Sequence, residues 1–572
     1  MKAINKWSIG VAVAGMMLSS CTKNFEDINK SPVISDNAPP ELLITQAVKG
    51  IVDRDFDWFY DAYTYQMQWM QFGVASPGSS STGLFSPTNT NDFYNAFYKN
   101  IGRNLVEIEN VVAKKPAAEQ GQYANVVAVA KILKAYSAWR VSDANGSIPY
   151  SEAFAARSDA NYTPVYDGQE KLFGLWEAEL KAAITTLQSG LSGQAALGNN
   201  DIFYTGDVSK WVKAANVLRI KLAMRQLKRA PEKATAIIKD AMAVNDGLFK
   251  NNSEEWKFLS ADNSFARSNN WSMNGSPLSA GKNMVDYMYN NADPRIGIFY
   301  EKTSYTKALV DSLIKGGVFP ADYQYDERRY YGLPSNPDRR SVAADSIIFK
   351  VKRYEMVFTD ANGKKVVVRR EVDTVSAVQR RLFDLDAENG NNNGARYTQP
   401  ILSYAEQCFM LAELSVRGII SGDAATYYKN GVEASINAYD AMGREAKIQD
   451  YTPLDQATVV AYLAKPDIAF TGSTDVLLEK INIQNFLNLL KSPWEAWGAW
   501  KRSGIPKVGG ILAFERMQVS GQYVAVPRRW ALPQPSLANQ VNWRNAIIEM
   551  GLSGEYGNED NDFTGRVWWD KK

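Results

Sequence analysis

The sequence predicts a mostly α-helical fold made of helix pairs, with an irregular, loop-rich middle that contains a small β-hairpin. Helical periodicity dominates residues 41–250 and 400–500. Residues 250–400 are instead rich in Asn, Asp, Gly, Tyr and Pro, which favour turns and loops. Within that stretch Asn362-Gly363 lies between two β-rich runs, the strongest short signal for a hairpin.

The chain begins with the pattern of an exported protein. Two lysines precede an apolar run at residues 9–18, which is far shorter than the ~20 residues needed to span a bilayer. This order is typical of a secretory signal peptide. The sequence LSSC, ending at Cys21, resembles a bacterial lipobox, so we expect residues 1–20 to be removed and Cys21 to carry a diacylglycerol. Ordinary secretion, with Cys21 incidental, is the alternative.

Residues 21–40 are polar and broken by prolines, and we interpret them as a lipidated tether. Without residues 1–20 the chain has 62 Lys and Arg against 62 Asp and Glu, because the two lysines near the start are lost. This neutral balance predicts neither nucleic acid nor an anionic membrane surface as a partner. No later apolar run approaches spanning length, so we expect the lipid to be the membrane attachment.

The residue types exclude several kinds of catalysis. The sequence has no histidine, which rules out a Ser-His-Asp triad, a Cys-His dyad and His-ligated metals. Cys408 is the one cysteine left after Cys21, so no internal disulfide or thiolate cluster can form. We interpret Cys408 as a small buried apolar residue. Carboxylate chemistry, an oxygen-ligated cation or no chemistry remain.

The first half predicts successive helices with short connections, as in a helical solenoid. Pro40 suits the first turn of a helix, and the turn-rich residues 76–92 predict a loop. The predicted helices cover residues 40–71, 92–115, 119–143, 168–189, 208–229 and 231–246.

The hairpin has an irregular pattern. The apolar alternation of residues 347–351 changes phase in residues 354–358, which predicts a β-bulge near Arg353. The Asn362-Gly363 pair predicts a turn in which both central residues have positive φ.

Helices return after residue 400. Ser403 and Glu406 have the spacing of a capping box, and Gly418 suits the position after a helix end. Further helices are predicted at 423–442, 455–464 and 474–491.

Five stretches occur in the order found in one family of outer-membrane lipoproteins. They are NADPRIGIFY (291–300), PILSYAEQCFMLAELSVRG (400–418), EKINIQNFLNLLKSPWEAWGAWKRSGIPKV (479–508), VPRRWALPQPSLANQVNWRNAI (526–547) and RVWWD (566–570). Together with the lipobox, they resemble the SusD/RagB-like nutrient-binding lipoproteins, specifically the SusD-like branch. The resemblance covers essentially the whole chain after Cys21.

This resemblance implies a single SusD-like domain over residues 41–572, with four tetratricopeptide-like helix pairs. It implies a lipid-anchored position on the outer membrane, facing the cell exterior. The implied partner is a SusC-like, TonB-dependent β-barrel transporter. The implied activity is binding of a glycan or oligosaccharide without catalysis and without a cofactor.

Sugar binding needs flat aromatic faces for the C–H side of the ring and planar polar groups for the hydroxyls. By segment, the resemblance directs attention to the early helix-loop region and the irregular middle, although loops also bury aromatic residues. The candidate ligand-binding residues are Trp58, Trp69, Arg267, Asn270, Trp271, Tyr330 and Tyr331. Replacement of Trp271 by Ala is expected to weaken glycan binding with little effect on melting temperature.

Other tryptophans have a structural interpretation. Trp568 and Trp569 are expected to anchor the chain end, and Trp494, Trp497 and Trp500 recur at helical spacing typical of core residues.

A calcium loop is a weaker hypothesis. Asp384, Asp386 and Glu388 alternate like calcium ligands, but Gly390 follows one position later than an EF-hand requires and no glutamate closes the loop. A solvated Asn/Gly loop is the favoured interpretation.

Two other functions remain open. A peptide-capturing lipoprotein of the same fold would grip a main chain through hydrogen bonds. An exported glycoside hydrolase would need two carboxylates facing one another across a cleft, which a sequence cannot show.

Overall fold

The structure, a computed structural model, describes most of the chain after the predicted tether. The described residues are 39–52, 57–75, 82–88, 90–261, 277–341, 352–385, 394–553, 555–557 and 561–572. The predicted signal peptide, Cys21 and nearly all of the tether therefore lie outside them.

The first half is a stack of helices. Its elements are α1 (Pro40–Val52), a π-helical segment (Asp57–Gln66) continuing into α2 (Met67–Trp69), α3 (Asp92–Ala96), a second π-helical segment (Phe97–Ile101), α4 (Gly102–Ala113), α5 (Ala117–Gln120), α6 (Ala124–Asn145), α7 (Gln169–Gln188), α8 (Val208–Gln226) and α9 (Pro231–Met242). Helix α4 packs on α1 and α6, and each of α6, α7 and α8 packs on the helix that follows it. This arrangement confirms the predicted helix pairs.

Local chemistry sets the ends of these helices. The Asp207 carboxylate accepts hydrogen bonds from the backbone amides of Ser209 (3.0 Å) and Lys210 (3.3 Å), which satisfies free donors at the start of α8. Helix α6 stops at Gly146, whose φ of 89° suits glycine. A Cβ at this glycine would lie 2.5 Å from the Met550 sulfur, so the α6 end and the C-terminal region can pack closely.

The middle contains short strands and helices. They are β1 (Gly73–Val74), β2 (Trp256–Leu259), β3 (Ser279–Ala280), α10 (Lys282–Asn290), α11 (Ile296–Phe299), α12 (Lys307–Lys315), β4 (Lys352–Thr359), β5 (Lys365–Val372) and β6 (Thr398–Leu402). Four two-stranded antiparallel sheets occur in the described residues, pairing β1 with β3, β2 with β6, β4 with β5, and β7 (Gln518–Val519) with β8 (Gln522–Tyr523).

The hairpin is present, but its predicted bulge is wrong. Strands β4 and β5 keep a regular register, with Arg353 directly opposite Glu371. Residues 347–351, whose apolar alternation contributed to this prediction, lie outside the described residues.

The predicted two-residue turn is also wrong. Gly363 has a φ of 77°, whereas Asn362 is not in the left-handed region. The Asp360 carboxylate accepts hydrogen bonds from the amides of Asn362 (2.8 Å) and Lys364 (2.9 Å). This side chain therefore stabilises a longer loop with one left-handed glycine.

The second half returns to helices. They are α13 (Tyr404–Val416), α14 (Ala424–Glu445), α15 (Gln456–Leu463), α16 (Thr474–Asn488), α17 (Pro493–Ser503) and, near the end, α18 (Gln540–Ser553). Ser403 caps α13 by accepting from the Glu406 amide (3.1 Å), and Gly418 has a φ of 69°. Cys408 is buried, and burial raises its pKa to about 12, so it remains a neutral thiol.

A buried ion network joins the two helical halves. The ammonium of Lys221 in α8 lies 2.8 Å from carboxylate oxygens of both Glu406 in α13 and Glu495 in α17. Arg225, one turn along α8, contacts Asp143 (3.2 Å) and Glu495 (3.3 Å). The Glu406 side chain therefore serves this network and does not complete the predicted capping box.

The C-terminal tryptophans differ from one another. Trp569 is buried, as predicted for an anchor of the chain end, but Trp568 is half-buried. Trp497 belongs to the core, and Trp494 and Trp500 pack against it while partly exposed.

Candidate functional site

Three segments of the middle and first half meet at one backbone network. Strand β1 pairs with β3 so that Val74 lies opposite Ser279. The chain therefore leaves β1 towards residues 76–92 at the end of the ladder where it enters β3 from residues 262–276. Leu333 bridges Gly281, immediately after β3, and its side chain clusters with that of Val74. The end of β1, the start of β3 and the segment that contains Leu333 therefore lie next to one another.

Beside this network lies a cluster of aromatic and charged residues, which we call the Tyr331 surface. The Arg328 guanidinium lies over the rings of Tyr289 (4.6 Å to the centroid) and Tyr331 (5.0 Å). Tyr289 is 41% exposed, on α10. Two tyrosine rings are therefore held in fixed positions by one cation and keep part of their surface in solvent.

Carboxylates hold this surface in place. Arg328 pairs with Asp286 on α10 and donates from Nε to the Tyr330 carbonyl (2.9 Å). The Tyr331 hydroxyl donates to Asp326, and this hydrogen bond, with the Arg328 amide, lowers the pKa of Asp326. Burial and the Asp326 carboxylate raise the pKa of Tyr331, so its hydroxyl stays a donor. The surface combines aromatic faces with planar polar groups.

Tyr330 points away from this surface. Neighbouring residues of an extended segment face opposite sides. The Tyr330 ring packs against the core, with its hydroxyl beside Gly297, and burial raises its pKa to about 12. Of the two predicted tyrosines, the structure therefore brings Tyr331 to the surface and turns Tyr330 inward.

Trp69 requires a correction. It was predicted as a ligand contact, but it is fully buried among Tyr65, Trp497 and Trp530, with ring centroids 4.9–5.5 Å away. Its indole N–H donates to the Leu84 carbonyl (2.8 Å). It has no face to offer a ligand, because the loop that follows folds back over it.

The remaining predicted ligand residues stay predictions. Arg267, Asn270 and Trp271 lie outside the described residues. The backbone of Trp58 belongs to the π-helical segment, but its side chain is outside the described part of the structure.

The calcium hypothesis gains no support. Asp384 is buried, while Asp386 and Glu388 lie outside the described residues. Within the described ranges, no group of three or more acidic or cysteine side chains is placed to hold a metal ion.

Tyr289 and Arg328 were both missed by the sequence analysis, although Arg328 lies only three residues before the predicted Tyr331. A signal for Tyr289 existed, because Met284, Val285 and Met288 define the buried face of α10 and Tyr289 falls outside it. Its pairing with residues about forty positions later carried no local signal.

Comparison with known proteins identifies the family. Residues 32–533 match the model of a SusD-like family described as starch-binding and associating with the outer membrane. The chain belongs to this SusD-like family, which confirms the predicted resemblance. A search of curated proteins found no match.

Solved structures agree on the fold. A chitin-binding protein is 25% identical with a TM-score of 0.68, covering 93% of this chain and 100% of that chain. A SusD homologue from Bacteroides fragilis NCTC 9343 is 22% identical with a TM-score of 0.67, covering 94% and 100%. A chitin-binding SusD homologue from Flavobacterium johnsoniae is 20% identical with a TM-score of 0.63, covering 93% and 97%. The mostly α-helical, SusD-like fold is thereby confirmed.

None of the helices in the described ranges is long and apolar enough to cross a membrane.

Proposed function

We propose that the protein is a glycan-binding lipoprotein of the outer membrane that holds its ligand at the Tyr331 surface without cleaving it. The observation that carries this proposal is the stack of Arg328 between Tyr289 and Tyr331. Partly exposed rings suit the C–H face of a sugar, and nearby carboxylates suit its hydroxyls. Membership in a family described as starch-binding supports the ligand class.

The neighbouring segments add to this proposal. The described chain on either side of residues 262–276 ends at residues 261 and 277, and we keep Arg267, Asn270 and Trp271 as proposed ligand contacts on the basis of the sequence. Loops on a rigid scaffold commonly determine ligand choice. We assign the glycan's identity to residues 76–92 and 262–276.

The proposal includes delivery and attachment. Cys21 carries the lipid, the protein faces the cell exterior, and it hands glycan to a SusC-like, TonB-dependent barrel. Affinity purification from detergent-solubilised membranes tests this step. Recovery of a β-barrel transporter with the wild-type protein is expected, and its absence would contradict the partnership.

Native affinity electrophoresis tests the binding step. A variant beginning after Cys21 would be run through gels containing starch, soluble chitin derivatives or other polysaccharides. Retardation by one glycan without released products is the expected result. Shortened glycan in the gel would indicate a hydrolase. If no glycan slows the protein but peptides bind it, the peptide-capturing alternative is favoured.

A further inference from the structure

A second groove lies apart from the residues of the Tyr331 surface. It opens between residues 165–171, at the start of α7, and the end of α18, and Trp568 forms part of its wall. We call it the Tyr166–Trp568 groove. Its cavity volume is about 480 Å³, within the range for small-ligand sites.

Both aromatic walls of this groove are held in place. The Trp568 ring packs on Phe173 with centroids 6.0 Å apart, and its carbonyl accepts from Arg229 Nε (2.5 Å). The Tyr166 ring packs against the hydrophobic core while partly exposed. Trp568 is half-buried whereas the adjacent Trp569 is buried, so Trp568 keeps part of its side chain open to the groove.

The groove is negatively charged. Buried Asp167 pairs with Lys171 (2.5 Å) and accepts from the backbone amide of Ser151 (2.7 Å), so the lysine charge is neutralised. Glu170, on the first turn of α7, and Glu549, on α18, are exposed and line the same groove. Neither has a charged partner among the described residues, so two carboxylates remain for a ligand.

We propose that the Tyr166–Trp568 groove binds an amine-bearing saccharide, of the class of glucosamine oligomers. The Tyr166 and Trp568 rings stack on the sugar C–H faces. An ammonium group on the sugar is attracted to these rings and to the carboxylates of Glu170 and Glu549. This inference rests on the proposed function in one respect, namely that the ligand is a glycan. It does not depend on the Tyr331 surface being the main binding site.

Calorimetric titration of the detergent-solubilised mature protein tests the inference at mildly acidic pH, where glucosamine amines are protonated. Three probes separate the contributions: a glucosamine hexamer, the N-acetylglucosamine hexamer with the same backbone but no charge, and hexalysine. The glucosamine hexamer is expected to bind about tenfold tighter than either of the others.

Matched variants locate the interaction. Glu549→Gln removes one charge at nearly constant shape and is expected to weaken the glucosamine hexamer about tenfold. Glu119→Gln, at an exposed glutamate outside the groove, should leave it unchanged. Trp568→Ala should also weaken binding, and Glu549→Gln keeps the test valid if that variant unfolds. The uncharged hexamer should be unaffected by Glu549→Gln.

Several results would overturn the inference. They are equal affinity for the charged and uncharged hexamers, equal affinity for hexalysine, unchanged binding in Glu549→Gln, or release of shorter sugars. Failure of the main site looks different. If Tyr331→Ala leaves neutral glycans unaffected while Glu549→Gln still weakens the glucosamine hexamer, the Tyr331 surface is wrong and the groove stands.

Discussion

Two regions of the molecule place a cation against aromatic rings and beside carboxylates, one buried and one exposed. In the core, the Lys501 ammonium lies 3.9 Å from the Trp497 ring and 4.9 Å from the Trp569 ring. At the surface, Arg328 lies between two tyrosines at similar distances. The residue chemistry is nearly the same, so burial decides whether a cluster supports stability or remains open to a ligand.

Burial shifts the pKa values of the charged groups in the buried cluster. Burial lowers the pKa of Lys501 to about 8, against the opposing effect of Asp143. Burial raises the pKa of Asp143, opposed by Arg225. Removing one partner from such a cluster leaves an uncompensated charge in a medium of low dielectric, whereas an exposed partner is replaced by water.

The largest expected effect comes from breaking the buried network. Glu495→Ala removes the carboxylate shared by Lys221 and Arg225, and it should lower the free energy of unfolding by about 3–5 kcal/mol. Urea denaturation measures this loss. A decrease below about 1 kcal/mol would mean that the network does not distinguish the buried region from the surface.

The next effect concerns pH. Burial would raise the pKa of Glu413, but Arg502 and Arg417 outweigh it and lower the pKa from 4.5 to about 2. A lowered folded-state pKa stabilises the fold above the unfolded value, by roughly 3 kcal/mol, and this contribution is lost as the pH falls towards 2.

Glu413→Gln isolates this contribution from other acidic groups. The difference in unfolding free energy between wild type and variant should be largest near neutral pH and should shrink below about pH 5. Parallel denaturation curves across that range provide the measurement. A difference that stays constant with pH would contradict the assignment.

A smaller effect, on binding and not stability, is expected at the exposed cluster. Tyr331→Ala should weaken glycan binding about tenfold, or roughly 1.4 kcal/mol, because one stacking face is lost. Its melting temperature should remain nearly unchanged. Trp69→Ala is the matched buried variant and should cost about 3–5 kcal/mol of stability through the cavity it leaves. Equal losses of stability in the two variants would remove the distinction.

Sequence reasoning succeeded where the signal was local. Periodicity of 3.6 residues located the helix pairs, and Ser403 was correctly predicted as a cap because its partner amide is three residues away. The hairpin was located by Asn362-Gly363. Its turn type was not, because the Asp360 side chain selects a longer loop through two backbone hydrogen bonds.

The candidate site depended on contacts between distant residues. In the sequence, Trp69 lies just before the turn-rich residues 76–92, and Tyr331 lies in the loop-rich middle. The fold nevertheless buries Trp69 and leaves Tyr331 half-exposed. Tyr289 meets Arg328 because α10 begins directly after Gly281, and Leu333 bridges this glycine a few residues after Arg328. Helix packing sets such pairings, and a single sequence does not state them. The sequence could therefore predict which segments contribute to the site, but not which residues within them meet.

The smallest expected effect is at the exposed hairpin. Arg353 and Glu371 form a cross-strand pair with side chains 82% and 60% exposed. Glu371→Ala should lower the free energy of unfolding by less than about 1 kcal/mol, and the loss should shrink further in high salt. Urea denaturation at two salt concentrations measures both values. Glu371 and Glu495 each pair with an arginine, Arg353 and Arg225, and the two pairs differ chiefly in their access to water. A loss as large as that of Glu495→Ala would therefore show that exposure does not govern the energy of ion pairs in this fold.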